Sequence, residues 1–215
     1  MTRYDKRVQA LAVGLSALAG YVDALGFIHL GGYFVSFMSG NSTRLGVGLV
    51  ERAHSAAVAS GLIGWFVAGV IIGSLVGRHA RGHRRVSVLI VVTVALSTAA
   101  ALNETGAATA AVILMVIAMG AENAVFERDG EVHIGLTYMT GTLVKFGQRL
   151  ADAASGGPRF AWSPYLFLWL GLVGGAVGGA VTFAHLGLSG LWLAAGFALL
   201  LAIAAMLTNE IDRVV

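Results

Sequence analysis

The sequence predicts an all-α polytopic membrane protein, with six transmembrane helices and two short re-entrant or broken helical segments arranged as two inverted repeats. Three observations predict it. Only 12% of the 215 residues are charged and 57% are hydrophobic, whereas about a quarter of a soluble domain is charged. Several apolar runs approach the ~20 residues that span a bilayer. Two polar stretches then break this background in the same order: "FMSGNSTRLG" from Phe37 to Gly46, and "YMTGTLVKFG" from Tyr138 to Gly147.

The composition also excludes function classes. There is no cysteine, so disulfides, thiol catalysis and Cys-based metal sites are absent. The net charge of +3 and the pI near 9.6 come from loop Lys and Arg, and in a membrane protein they report orientation rather than nucleic-acid binding. Arg3, Lys6 and Arg7 precede an apolar run, but that run is long enough to be a first span rather than a cleaved signal.

Six strong helical runs are expected, at 8–27, 56–77, 86–102, 107–125, 164–183 and 191–207. Two weaker segments, 33–50 and 133–150, are shorter, and each holds a polar cluster and a basic residue. Cytoplasmic loops are rich in Lys and Arg, which places the N-terminus and the stretch from Arg78 to Arg85 on the inside. An even number of crossings must separate them. Runs 8–27 and 56–77 supply two, so 33–50 enters and leaves from the outside. The turn at 103–106 is poor in positive charge and lies outside. The stretch from Glu127 to Arg159, with Arg128, Lys145 and Arg149, lies inside, and 133–150 is re-entrant from there. Both termini are expected in the cytoplasm. Eight full spans would instead put the Arg78–Arg85 loop outside.

The two polar stretches belong to a longer repeat, 8–104 against 107–209. "GYVDA" from Gly20 resembles "GAENA" from Gly120, Ser39-Gly40-Asn41 resembles Thr140-Gly141-Thr142, and Arg44 resembles Lys145. Gly69, Gly73 and Gly77 are spaced by four, as are Gly171, Gly175 and Gly179. Three crossings per repeat invert the second copy, an arrangement recurrent in secondary transporters with sites near the midplane on interrupted helices.

These segments supply the candidate site. Irregular backbone at membrane depth is tolerated where it is buried in protein or lines a wet cavity. Helices are expected to start near Asn41 and Thr142, with Ser39, Asn41, Thr140 and Thr142 capping free N–H groups. The two helix N-termini, facing each other in an inverted pair, suit an anionic group. Ser39, Gly40, Asn41, Arg44, Thr140, Gly141, Thr142 and Lys145 are the candidate solute-binding residues. Arg44 and Lys145 would neutralise an anion, or else act as anchors that snorkel to head groups. Asp23, Glu122 and Asn123 are the coupling candidates, because ionisable groups inside a membrane are costly. Asp23 would carry a proton or cation, pair with Arg44, or form a structural ion pair. Glu122 stands closer to the charged Glu127–Glu131 loop. The glycine ladders bring helices close together and make a homodimer an option.

The paired motifs, "GYVDALGF" with "FMSGNSTRLG" and "GAENA" with "TYMTGTLVKFG", resemble the YoaK-like family of bacterial inner-membrane proteins, a family of unknown function. The resemblance covers nearly the whole chain. It implies the fold and the location and supplies no activity.

No GxSxG, HExxH, P-loop or dinucleotide fingerprint is present, so no enzyme chemistry, metal or cofactor is expected. The expected function is a gradient-driven or facilitative transporter of a small polar solute, with an anion as the leading class, in contact with membrane lipid. A channel on the same scaffold is the nearest alternative. A membrane-embedded enzyme, or an accessory subunit docking through the Arg78–Arg85 loop, are the others.

Overall fold

The computed structural model describes residues 5–80, 82–128 and 131–211, and the side chains of Arg128 and 208–211 are outside that description. Arg3 and Arg81, two of the charges used for orientation, lie outside the described residues. Eight α-helices are present among them: α1 Lys6–His29, α2 Met38–Glu51, α3 Ala53–His79, α4 Arg84–Glu104, α5 Ala108–Glu122, α6 Met139–Ala154, α7 Ser163–Leu186 and α8 Leu191–Ile211. Short 3-10 turns follow α5 (Asn123–Phe126) and α7 (Gly187–Gly190). The two-residue strands β1 Glu127–Arg128 and β2 Glu131–Val132 pair antiparallel.

Among the described residues, five apolar helical runs are long enough to cross a membrane, and the last, Ser163–Leu207, takes in α7 and most of α8. Gly187, at φ 57°, breaks that run in two; a left-handed residue is where a helix stops. The protein is therefore an all-α polytopic membrane protein. At 1.5 Å per residue, α2 and α6 are only about 21 and 24 Å long, short of the ~30 Å hydrocarbon core.

Close glycine contacts fix the helix directions. A Cβ on Gly20 would collide with the carbonyl of Leu172, on Gly175 with that of Ala17, and on Gly179 with that of Tyr21. Along the pairs Val13–Gly171, Ala17–Gly175 and Tyr21–Gly179 the residue numbers rise together, so α1 and α7 run parallel. The same pattern joins α5 to α3: Gly120 meets the carbonyl of Phe66, Gly69 that of Ile117, and Gly73 that of Ala121. Only glycine lets two backbones approach this closely. The contacts correct the ladder register expected from sequence. Gly69 and Gly73 match Gly175 and Gly179, one helical turn beyond the expected partners; Gly77 lies against the Arg84 side chain and Gly171 against Val13.

Polar contacts at the helix ends decide which ends share a face. Tyr21 Oη donates to the Gly190 carbonyl at 3.0 Å, so α1, α7 and the start of α8 meet there. Trp192 Nε1 donates to Glu104 Oε1 at 2.6 Å, which adds the end of α4. Hence α1 and α4 point the same way. Gly77 near the end of α3 lies against Arg84 at the start of α4, so α3 runs opposite to α4 and α1, and α2 begins and ends on the side where α1 ends. On the opposite face, Glu127 just after α5 reaches Arg84 at the start of α4 and Arg78 at the end of α3. The apolar core lies among α1, α4, α5 and α8, in residues such as Leu15, Leu18, Leu89, Leu96, Met115 and Leu191.

Candidate functional site

The chain after α1 folds back along it before α2 begins. Asp23, six residues before the end of α1, holds that turn: its Oδ1 accepts from the backbone N–H of Val35 and of Ser36, both at 2.8 Å. A carboxylate is a strong acceptor for two such donors. Val35 packs on Gly26, where a Cβ would lie 2.5 Å from Val35 Cγ1. From the other end of the turn, Asn41 grips the backbone of Phe34. Its Oδ1 accepts from the Phe34 N–H at 3.0 Å and its Nδ2 donates to the Phe34 carbonyl at 2.7 Å. Gly40 leaves room for the rings of Phe34 and Phe37, each 2.8 Å from where a Cβ would sit.

The segment before α6 repeats this plan with different atoms. Thr137 Oγ1 donates to Asn123 Oδ1 at 3.1 Å, and Asn123 Nδ2 donates to the Met119 carbonyl at 2.9 Å. Asp23 with Ser36 and Asn123 with Thr137 each join a polar side chain to the residue two places before the next helix. Ser16 in α1 ties the second loop to the first half, because its hydroxyl lies 3.4 Å from the Leu136 carbonyl and 3.0 Å from that of Leu168.

Several expected roles change. The helices start at Met38 and Met139, about one turn before Asn41 and Thr142, and the capping positions are Phe37 and Tyr138 with no side-chain cap bond. Asn41 therefore clamps a loop, and Thr142 is buried inside the first turn of α6. Ser39, Thr140 and Gly141 are exposed and Gly40 is half-buried; Thr43 Oγ1 donates back to the Ser39 carbonyl at 3.3 Å. The starts of α2 and α6 do not form a facing pair: α2 packs on α3, and α6 packs on α7. Arg44 and Lys145 stay apart. Arg44 lies over the Tyr33 ring, 4.9 Å from its centroid, and Lys145 is exposed on α6. Asp23 binds backbone rather than Arg44.

Two acidic residues gain weight. Glu122 is fully buried, and among the described residues neither carboxylate oxygen has a hydrogen-bond partner. Its closeness in sequence to a charged loop does not expose it, because the 3-10 turn Asn123–Phe126 is buried as well. Glu127 was legible only as a loop charge. It is 8% exposed, accepts from Ser74 Oγ at 2.6 Å, and lies 3.3 Å from Arg84 Nη1 and 3.8 Å from Arg78 Nε. Its signal in sequence was an acid after a long apolar run, opposite the basic 78–85 segment.

The fold defines a multi-pass α-helical membrane protein whose two irregular segments are pinned to long helices. Residues 11–204 match the family described as "protein of unknown function (DUF1275)". A UPF0700 transmembrane protein of Rhizobium meliloti (strain 1021) is 39% identical over 201 residues, covering 91% of this chain and 85% of that protein. The chain belongs to this family of transmembrane proteins, in agreement with the resemblance carried by its paired motifs. No solved structure matches.

Proposed function

We propose that the protein is a secondary transporter of a small polar solute, built as two inverted repeats in the bacterial inner membrane with both termini cytoplasmic. One observation carries this reading: the first helix of each half packs, parallel and through matching glycine–carbonyl contacts, on the third helix of the other half. With α2 and α6 as re-entrant elements, each half has three crossings, and the second half is upside down relative to the first. Inverted halves that exchange helices give two equivalent packings, which alternating access requires. The buried Glu127 carboxylate, paired with the partly buried Arg84 at the basic face, supports a closed inner end in this state.

Glu122 is the coupling residue in this reading. An unpaired carboxyl inside a membrane is expensive and marks an ion or proton path. The place matching Glu122 in the first half is Val22, so coupling is asymmetric. Asp23 and Asn123 act as positioning residues that hold the loops. No covalent chemistry is assigned to the protein.

The test is flux through proteoliposomes that hold the purified protein under a pH gradient, with a panel of labelled carboxylates, amino acids and sugars. The reading expects protein-dependent uptake of at least one class, and Glu122→Gln should keep exchange while losing gradient-driven uptake. Product formation without a gradient, or no flux for any class, would remove the transporter.

A further inference from the structure

A cavity of about 260 Å³ opens beside the re-entrant element of the first half. Tyr33, Thr43, Arg44, Glu51, Arg52 and Ser55 supply its polar wall. It lies on the side where α1 ends, away from the basic face. Arg44 is the group that organises it. The guanidinium lies 4.9 Å from the Tyr33 ring centroid, which fixes its plane by cation–π attraction. Gly32, at φ 106°, brings the backbone against the same group, since a Cβ there would stand 2.8 Å from Arg44 Nη2. Among the described residues, no carboxylate lies within ion-pair distance of Arg44. Glu51 lines the same space, two turns along α2, without reaching it.

A half-buried guanidinium, held in place and left without a counter-charge, is poised for a carboxylate or phosphate. Arg52 stands in the one-residue hinge between α2 and α3, in extended conformation, and adds a second cation. The Ser55 hydroxyl offers a further donor, whereas Thr43 Oγ1 already donates to the Ser39 carbonyl.

We propose that this cavity binds a small oxyanion, a phosphate or carboxylate group, with Arg44 as its principal contact and Arg52 as the second. The proposal rests on the transporter reading for its use in solute capture and deepens it by naming a class of solute. The chemistry has two sources. Leu49 and Val50, 72% and 89% exposed beside the hinge, form an apolar edge that suits lipid, and an anionic head group there would reach the cavity. A free anion reaches it from the aqueous side.

The test is equilibrium dialysis of radiolabelled inorganic phosphate against the purified full chain in a phosphate-free maltoside detergent. Wild type should bind saturably. Arg44→Gln and Arg52→Gln should each bind at least tenfold more weakly, and Arg159→Gln, at an exposed position remote from the cavity, should bind as wild type does. Should Arg44→Gln aggregate on size exclusion, the exposed Arg52 carries the comparison. Short-chain phosphatidylglycerol that displaces phosphate points to a head group as the natural occupant. Failure to displace points to a free solute. Both outcomes keep the oxyanion site. Equal binding by wild type and the two variants, or no saturable binding of phosphate or the lipid, overturns it. Dialysis uses no gradient, so intact binding without flux would refute the transporter and leave the site standing.

Discussion

Trp192 Nε1 donates a 2.6 Å hydrogen bond to Glu104 Oε1, joining the start of α8 to the end of α4. With the Tyr21–Gly190 contact, it places the ends of α1 and α4 on one face. In an arrangement of eight crossings those two ends would lie on opposite faces.

Asp23 should matter to stability more than to coupling. Asp23→Ala removes two hydrogen bonds to a charged acceptor, and such bonds contribute about 2 kcal/mol each. Asp23→Asn keeps one acceptor oxygen and should lose less. Hydrogen exchange at the Val35 and Ser36 amides should accelerate in both variants, more in Asp23→Ala. Unchanged protection of these amides would mean that the carboxylate does not hold the loop.

The glycine register gives a paired test. Gly69→Ala and Gly175→Ala each push a methyl group into a carbonyl on the partner helix and should cost ~1–3 kcal/mol, the usual range for overpacking. Gly174, one residue away, has nothing within 4 Å of where a Cβ would lie, so Gly174→Ala should be near neutral. Thermal unfolding in detergent reads all three. Equal melting temperatures across the set would contradict the close α1–α7 and α3–α5 contacts.

Much of this fold was legible in the chain. The apolar runs appear as helices with bounds displaced by a few residues, and the two polar stretches appear as the first turns of the short helices α2 and α6, each entered from an irregular segment. Periodicity and charge bias carry that far because a bilayer imposes them. Other features depend on tertiary contacts. Asn41 looked like a cap, since Asn is a strong capping residue, but the Phe34 backbone uses both ends of its amide. The glycine ladders repeat every four residues, so a shift of one turn leaves the pattern intact, and only the facing carbonyls fix it. Glu127 needed three partners from α3 and α4 that no local window contains.

Glu127 should behave as a clamp across the two halves. Its side chain is 7% exposed, with Arg84 at 23%, and removing one partner of such a pair costs ~3–5 kcal/mol when both are fully buried. Arg78 is 63% exposed and contributes little. Glu127→Gln should therefore lower the unfolding midpoint clearly, and Arg78→Gln scarcely. In the transporter reading, Glu127→Gln should also raise the accessibility of a cysteine placed at Ser74. An unaltered midpoint and unaltered labelling would remove the clamp.

The central claim is that the halves are inverted, and its most direct test is the sidedness of three exposed positions. The chain has no cysteine, so His29→Cys, His83→Cys and Thr105→Cys each supply one probe. Intact cells are treated with an impermeant thiol reagent, before and after permeabilisation. The account predicts that His29→Cys and Thr105→Cys label in intact cells and that His83→Cys labels only after permeabilisation. Labelling of His29→Cys and His83→Cys from the same side would mean that α2 crosses the membrane, and the inverted repeat would fall with it.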